Sequence, residues 1–268
     1  VQQRLFTDQL GRTISVTEKP RRIISLVPSQ TELLADLGLD DEVIGITKFC
    51  IHPDRWFRSK TRVGGTKQLH LEQLAALQPD LIIANKEENE QQQVEWLMER
   101  FPVWTSDIKT LEQSCEMITA VGELTSTSEK AKHIIEKINT NFAELQPHQT
   151  PLRAAYFIWQ EPLMCAGTDT FISHLMQRCN LQNVFAATDG RYPEVTAEKL
   201  RALQPDVLLL SSEPFPFAEK HREAMQEQFP GMRVELADGE YFSWYGSRLV
   251  DAPGYFTLLL NRMHSTTD

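Results

Sequence analysis

No stretch of this 268-residue chain strings together the roughly 18 apolar residues that a membrane span requires. Cysteine is scarce: Cys50, Cys115, Cys165 and Cys179 are scattered, with no CxxC spacing, so a disulfide framework does not organise the fold. Free thiols are the simpler expectation, and the redox compartment stays open. Positive charge is in deficit, with 27 Lys and Arg against 37 Asp and Glu and a formal net charge of -10. That balance argues against general binding to a phosphate backbone, which needs clustered cations. The sequence also lacks GxSxG, a GKS/T phosphate loop, GxGxxG after a strand, HExxH and any Cys/His cluster. What remains is the ordinary composition of a globular protein, 41% hydrophobic and 24% charged. Residues Val1 to Thr17 mix charges with isolated apolar residues, unlike a signal peptide. A processed chain, a trimmed chain and a cytoplasmic protein would all begin this way.

The most informative positive feature is a repeat. His70-Leu-Glu-Gln-Leu-Ala-Ala-Leu-Gln-Pro-Asp-Leu-Ile-Ile-Ala84 returns, offset by 126 residues, as Thr196-Ala-Glu-Lys-Leu-Arg-Ala-Leu-Gln-Pro-Asp-Val-Leu-Leu-Leu210. Two copies suggest a duplicated architecture and not a solenoid. Each copy reads as a short helix, a stop and a strand. Leu71, Leu74 and Leu77 share a face, Pro79 ends the helix, and Leu81 to Ala84 is a continuous apolar run suited to a covered parallel strand. Leu200, Leu203, Pro205 and Val207 to Leu210 repeat the pattern.

Upstream of each copy lies a further strand and helix. Ile23 to Val27 predicts a strand, Ser29-Gln-Thr-Glu32 a capping box before Leu33, Leu34 and Leu37, and Val43 to Ile46 a second strand. In the second half, Ala154 to Trp159 predicts a strand, Thr168 to Cys179 a helix and Leu181 to Phe185 another apolar segment. Val103 to Thr105, Val234 to Leu236 and a helix over Tyr255 to Met263, with Pro253 near its first turn, complete the pattern. Between the halves, Leu111, Cys115, Ile118 and Val121, then Ala131, Ile134, Ile138, Phe142 and Leu145, form helical stripes, with Ser126-Thr-Ser-Glu129 as a second capping box. A flexible linker would be polar or rich in Gly and Pro, so this segment predicts a rigid helix. The expected architecture is α/β: two Rossmann-like three-layer lobes joined by a long backbone helix. The expected boundaries are 1–108, 109–147 and 148–268.

Nearly the whole chain resembles the periplasmic binding proteins with a helical backbone that serve importers of vitamin B12, iron-siderophores and haem. The residues that carry the likeness are Pro20-Arg-Arg-Ile-Ile-Ser-Leu-Val-Pro-Ser-Gln-Thr-Glu-Leu-Leu34, Val63-Gly-Gly65, both Leu-x-Pro-Asp repeats and Ala166-Gly-Thr-Asp-Thr170. Their order and spacing look most like the cobalamin-binding branch. The resemblance implies a ligand held between the lobes and one glutamate per lobe docking onto a permease. Glu72 and Glu198 match that pair. Both also fall in a first helical turn, where negative charge is favourable by itself. Where the cobalamin binders carry tryptophans, this chain has Tyr192 and Thr66; their Asp-Trp-Phe segment is Glu240-Tyr-Phe242 here, followed by Arg248.

Loops after the C-terminal ends of parallel strands are the expected ligand sites. Tyr241, Phe242, Trp244 and Tyr245 crowd one such segment, where rings either stack on a macrocycle or seal a core. Trp56, after His52-Pro-Asp54, and Trp159, before Gln160-Glu-Pro162, carry the same two readings. Arg62, Lys67, Arg191 and Arg248 are candidate partners for anionic groups, or solvent-facing cations. His52 is a candidate ligand contact, and Asn85-Lys-Glu-Glu-Asn89 a candidate rim. The expected function is non-enzymatic: capture of a corrinoid, ferric siderophore or haem, with no covalent cofactor, by a monomer that serves an ABC permease dimer and its ATPase and binds no nucleic acid. The resemblance implies a periplasmic or otherwise extracytoplasmic location, the leader being absent from this chain, and a cytoplasmic one stays open. Direct zinc or manganese binding, or an enzyme or sensor on the same bilobal fold, are the alternatives.

Overall fold

The computed structural model describes residues 3–188 and 190–264. The chain divides into two compact units. One comprises Val1–Ile108, Glu112–Ile138 and Tyr245–Arg248; the other comprises Lys109–Leu111, Asn139–Trp244 and Leu249–Asp268. Among the described residues, no helix is long and apolar enough to cross a membrane.

The first unit opens with an antiparallel hairpin, β1 (Gln3–Thr7) and β2 (Thr13–Thr17). Ile14 and Val16 alternate inward along β2 while their neighbours face out, the period of a half-buried strand. Then follow β3 (Ile23–Ser25), α1 (Pro28–Asp36), β4 (Val43–Ile46), α2 (Asp54–Ser59), β5 (Thr61–Arg62), α3 (Leu71–Ala76), β6 (Leu81–Asn85), α4 (Gln91–Met98) and β7 (Val103–Ser106). The five-stranded sheet runs β5-β4-β3-β6-β7, all parallel. The chain starts at the centre, on β3, builds outward on one side and then crosses to the other. The strand order therefore reverses at the C-terminal end of β3, where parallel sheets open a crevice.

The predicted helical stretch is two helices, α5 (Leu111–Leu124) and α6 (Ser128–Glu144). The capping box expected at Ser126 is absent because Ser126 belongs to the end of α5. It adopts a left-handed φ of 58°. The Thr127 amide donates to the Gly122 carbonyl at 2.7 Å and the Ser126 amide to Glu123 at 3.4 Å, a Schellman ending. The box expected at Ser29 also fails. Pro28 occupies the first helical position, Val27 is the cap residue without a side-chain cap, and Glu32 turns to a different partner described below.

The second unit contains β8 (Leu152–Trp159), β9 (Met164–Cys165), α7 (Phe171–Arg178), β10 (Leu181–Asn183), α8 (Ala197–Leu203), β11 (Val207–Ser211), α9 (Glu219–Gln228), β12 (Arg233–Ala237), α10 (Gly239–Ser243) and α11 (Ala252–His264). Its parallel strands run β10-β8-β11-β12, with β9 antiparallel to β8. Again the first strand is central and the order reverses beside it. Thr170 caps α7, its hydroxyl accepting the Ser173 amide at 3.1 Å. Strands β6 and β11 are buried at every residue, as expected for strands covered on both faces.

The sequence repeat is also a repeat of hydrogen bonds. After α3 and α8, Gln78 and Gln204 both take a left-handed φ of 46°. The next acidic residue clamps the start of a neighbouring strand: Asp80 accepts the Arg21 and Arg22 amides at 2.8 Å, and Asp206 accepts the Arg153 amide at 2.7 Å. Each clamp is completed by an arginine on the helix end. Arg22 donates to the Leu77 carbonyl at 2.7 Å and Arg153 to the equivalent Leu203 carbonyl at 2.6 Å. Cations complement the exposed carbonyls of a helix C-terminus.

Candidate functional site

In the first unit, the loops at the strand ends are knit by neutral polar side chains. The Ser106 hydroxyl accepts from the Asn85 amide at 2.9 Å and from the Gln30 amide, and donates to the Ala84 carbonyl at 3.2 Å. Asn85 Oδ1 accepts the Glu87 and Glu88 amides at 2.8 and 3.0 Å, shaping the loop after β6. Asn89 reaches the carbonyls of Leu26 at 3.2 Å and Thr66 at 3.1 Å. Lys67 Nζ donates to the Glu87 carbonyl at 2.6 Å, and Gln93 bridges the Leu69 amide and the Lys67 carbonyl. The tight turn at Gly64, with φ of 105°, admits no side chain: an added Cβ would lie 2.4 Å from the Gln68 carbonyl. Three loops are thereby held as one surface. Buried polar groups satisfied in this way fix one geometry, because leaving them unpaired is costly.

This surface exposes apolar side chains that the sequence reading passed over. Phe49 and Ile51, in the loop after β4, are 51% and 45% exposed. The Lys48 ammonium sits 5.0 Å from the Phe49 ring centroid. Between them Cys50 points inward, within 3.1 Å of the Thr31 and Thr47 hydroxyls, and burial raises its thiol pKa. The signal was the position after a strand together with the out-in-out pattern Phe49-Cys50-Ile51.

The expected residues of this unit are placed differently. Trp56 is buried; its indole N–H donates to Asp40 at 2.7 Å, so it anchors α2 and offers no open face. His52 is half-buried just before α2. Thr66 is half-buried and Lys67 exposed, both in the knitted loops. Arg62 lies over the Phe57 ring at 4.3 Å. Tyr245 is buried in this unit. Arg248 forms a two-pronged ion pair with Glu32, at 2.9 and 2.6 Å, so its charge is already answered by a protein carboxylate. Burial is the largest influence on Glu32 and raises its pKa despite the guanidinium.

The second unit is organised by rings. Trp159, at the end of β8, is 40% exposed. Its indole N–H donates to the Glu161 carbonyl at 3.0 Å, and its ring meets Phe215 edge-on at 5.8 Å. Phe215 in turn packs against Phe217 at 4.7 Å and His221 at 5.4 Å. An exposed flat ring is thus held from two sides. Phe242, expected near a ligand, is instead fully buried against Tyr156 and Phe256, at 5.0 and 4.7 Å. Tyr241 stacks on Tyr255 at 4.6 Å, which occupies one of its faces. Trp244 is buried. Arg191 and Tyr192 are half-buried, the guanidinium 5.9 Å from the ring. Their strand-like segment lies along β9: the Gly167 amide donates to the Arg191 carbonyl at 2.7 Å and the Cys165 amide to Pro193 at 3.1 Å.

A mostly buried carboxyl, Glu213, joins the loop after β11 to α10. It accepts the Ser243 hydroxyl at 2.6 Å and a hydrogen bond from the Trp244 side chain. Burial raises its pKa, those hydrogen bonds oppose the shift, and the nearby Glu240 and Asp238 add to it. The two glutamates of the repeat, Glu72 on α3 and Glu198 on α8, are exposed in equivalent first turns. Glu198 has a lowered pKa, first from its own backbone N–H and then from the Thr196 hydroxyl.

The sequence profile described as periplasmic binding protein matches residues 23–232. The chain belongs to the periplasmic binding protein family. Members of this family capture a substrate for an importer and are not an enzyme family. A vitamin B12-binding protein of Pectobacterium atrosepticum is 25% identical over 240 residues, covering 86% of this chain and 85% of the relative. One from Vibrio campbellii is 30% identical over 200 residues, covering 71% of this chain and 70% of the relative. Among solved structures, the periplasmic vitamin B12 binding protein of Vibrio cholerae superposes with a TM-score of 0.75 at 23% identity, over 92% of this chain and 99% of that one. The periplasmic haem-binding protein of the same species gives 0.77 at 17% identity, over 93% and 100%. At these identities the structural likeness speaks to the fold, which is the α/β, parallel-sheet fold of the family.

Proposed function

We propose that this periplasmic binding protein captures a metal chelate with a flat or macrocyclic face, a corrinoid, haem or ferric siderophore, and delivers it to an ABC permease driven by a separate ATPase. The observation that carries the reading is Trp159. An exposed indole pinned by a hydrogen bond and an edge-on phenylalanine is a preorganised stacking surface, which lowers the ordering cost of binding. It is the last residue of β8, at the C-terminal edge of a parallel sheet, where such folds place ligands. The likeness to vitamin B12-binding proteins supports the ligand class. In the first unit, Phe49 and Ile51, with Lys48 beside them, present an exposed apolar surface next to a cation, a further candidate contact. Arg191 and Tyr192 are further candidate contacts.

Glu72 and Glu198 are the docking residues for the permease, being exposed, acidic and equivalent in the repeat. The protein acts outside the cytoplasm, as a monomer. Visible-absorbance and tryptophan-emission titrations with dicyanocobinamide, cobalamin, haem and a ferric siderophore test the ligand class. One-to-one saturation by at least one of them is expected; silence from all, with tight zinc or manganese binding, contradicts it. Reversal of both docking glutamates, Glu72→Lys with Glu198→Lys, is expected to abolish transport and spare affinity. Undiminished transport by that variant rules out the docking role.

A further inference from the structure

Glu213, a mostly buried carboxyl of the second unit, is held by neutral donors on a different segment. Its surroundings are built for close approach. Gly239, at the start of α10, has no room for a side chain, since an added Cβ would lie 2.5 Å from both Glu213 Cγ and Ser211 Oγ. The Gly239 amide donates to the Ser212 hydroxyl at 2.9 Å, and the Ser211 hydroxyl donates to the Glu213 carbonyl at 2.6 Å while accepting the Tyr156 hydroxyl at 3.1 Å. The loop after β11 and the segment after β12 therefore meet at this carboxyl.

The contact has an alternative built into it. The Ser243 hydroxyl carries a single proton and has two acceptors within reach, Glu213 Oε1 at 2.6 Å and its own helix carbonyl at Gly239, 2.8 Å away. An ionised carboxylate is the stronger acceptor and accepts the Ser243 and Trp244 donors together. A protonated carboxyl has one fewer acceptor position and a proton of its own to place. Ser243 can then revert to the Gly239 carbonyl, and Trp244 loses its charge-assisted bond.

We propose that Glu213 is a positioning residue whose protonation decides whether Ser243 and Trp244, and with them residues 241–244, are fixed to the loop after β11. The groups that face it are Asp238, Glu240, Ser243 and Trp244 from the segment after β12, Ser211 from its own loop and, through that serine, Tyr156 from β8. Burial and the two acidic neighbours oppose ionisation, so the contact switches above the ordinary glutamate value. The same loop carries Phe215, which braces Trp159. Insofar as the aromatic surface described above holds the ligand, capture weakens as the carboxyl takes up its proton.

The test is a pH titration of tryptophan emission on the ligand-free protein. A one-proton transition is expected with its midpoint above the ordinary glutamate value of 4.5. It should vanish in Glu213→Gln and in Trp244→Phe, and move to higher pH in Ser243→Ala, which removes a donor that favours the charged form. Should Glu213→Gln not fold, the Ser243→Ala shift decides the matter. Absence of the transition in the unaltered protein, its persistence in Glu213→Gln, or a midpoint that Ser243→Ala leaves in place or lowers overturns the proposal. A parallel titration with dicyanocobinamide is expected to show about tenfold weaker binding on the acid side of the transition, the worth of one charge-assisted bond. If no chelate binds at any pH, the ligand class falls while the emission titration still decides the role of Glu213.

Discussion

Two mostly buried carboxyls near strand-end loops, one in each unit, are partnered in opposite ways. Glu32, in the first unit, faces the Arg248 guanidinium through two short contacts. Glu213, in the second, faces a hydroxyl, an indole N–H and two other carboxylates. Burial raises the pKa of both. A buried charge matched by a charge is a structural tie, whereas one beside two other carboxylates, with only neutral donors to offset burial, is more readily protonated. The loops repeat the contrast: those of the first unit are stitched mainly by amides and hydroxyls, with the Lys67 ammonium, and those of the second by rings and a carboxyl.

The largest expected effect breaks the charged tie. Arg248→Ala leaves Glu32 mostly buried and unpaired, and thermal or denaturant unfolding should show a loss of about 3 kcal/mol. Glu32→Gln combined with Arg248→Met should recover most of it, since neither charge is then stranded. Next comes the polar stitching. Asn85→Ala strands the Glu87 and Glu88 amides and one acceptor on Ser106, at an expected cost of about 2 kcal/mol read by denaturant unfolding.

The titratable tie has a sign that can be checked. Because the folded pKa of Glu213 is raised above 4.5, its contribution to stability is fully present below that value and is lost as pH rises through the folded pKa. Glu213→Gln should remove that part of the decline on going from acid to neutral pH; Glu32 shifts in the same direction and keeps its own share. The smallest expected effect compares the repeats directly. Arg22→Ala and Arg153→Ala each remove a donor from an equivalent helix end and should each cost about 1 kcal/mol, by about the same amount in both units.

These contrasts also show where sequence reasoning reached and where it stopped. The duplicated Leu-Gln-Pro-Asp segments specified helix, stop and strand because local chemistry does so: a left-handed glutamine, a proline without an N–H and an aspartate that clamps backbone amides. The break at Ser126 was hidden because serine at a helix start and serine after a helix end look alike in sequence. The hairpin at β1 and β2 was not read from the sequence, its one signal being the short alternation of Ile14 and Val16 with hydroxyl residues. Site residues were the least legible. Trp56 and Phe242 are as aromatic as Trp159, and only tertiary packing separates rings that fill an interior from one that stays open. Glu32, read as a cap, and Glu213, not singled out, take their roles from partners 216 and 30 residues away.

The measurement that tests the account most directly is the affinity of the protein for dicyanocobinamide and for haem, compared with that of Trp159→Ala. Removing a ring that is 40% exposed, with its hydrogen bond and its Phe215 contact, should lower thermal stability without unfolding the protein, while affinity for the chelate that binds falls about tenfold. Equal affinity in the two proteins would contradict the stacking surface on which the proposed function rests.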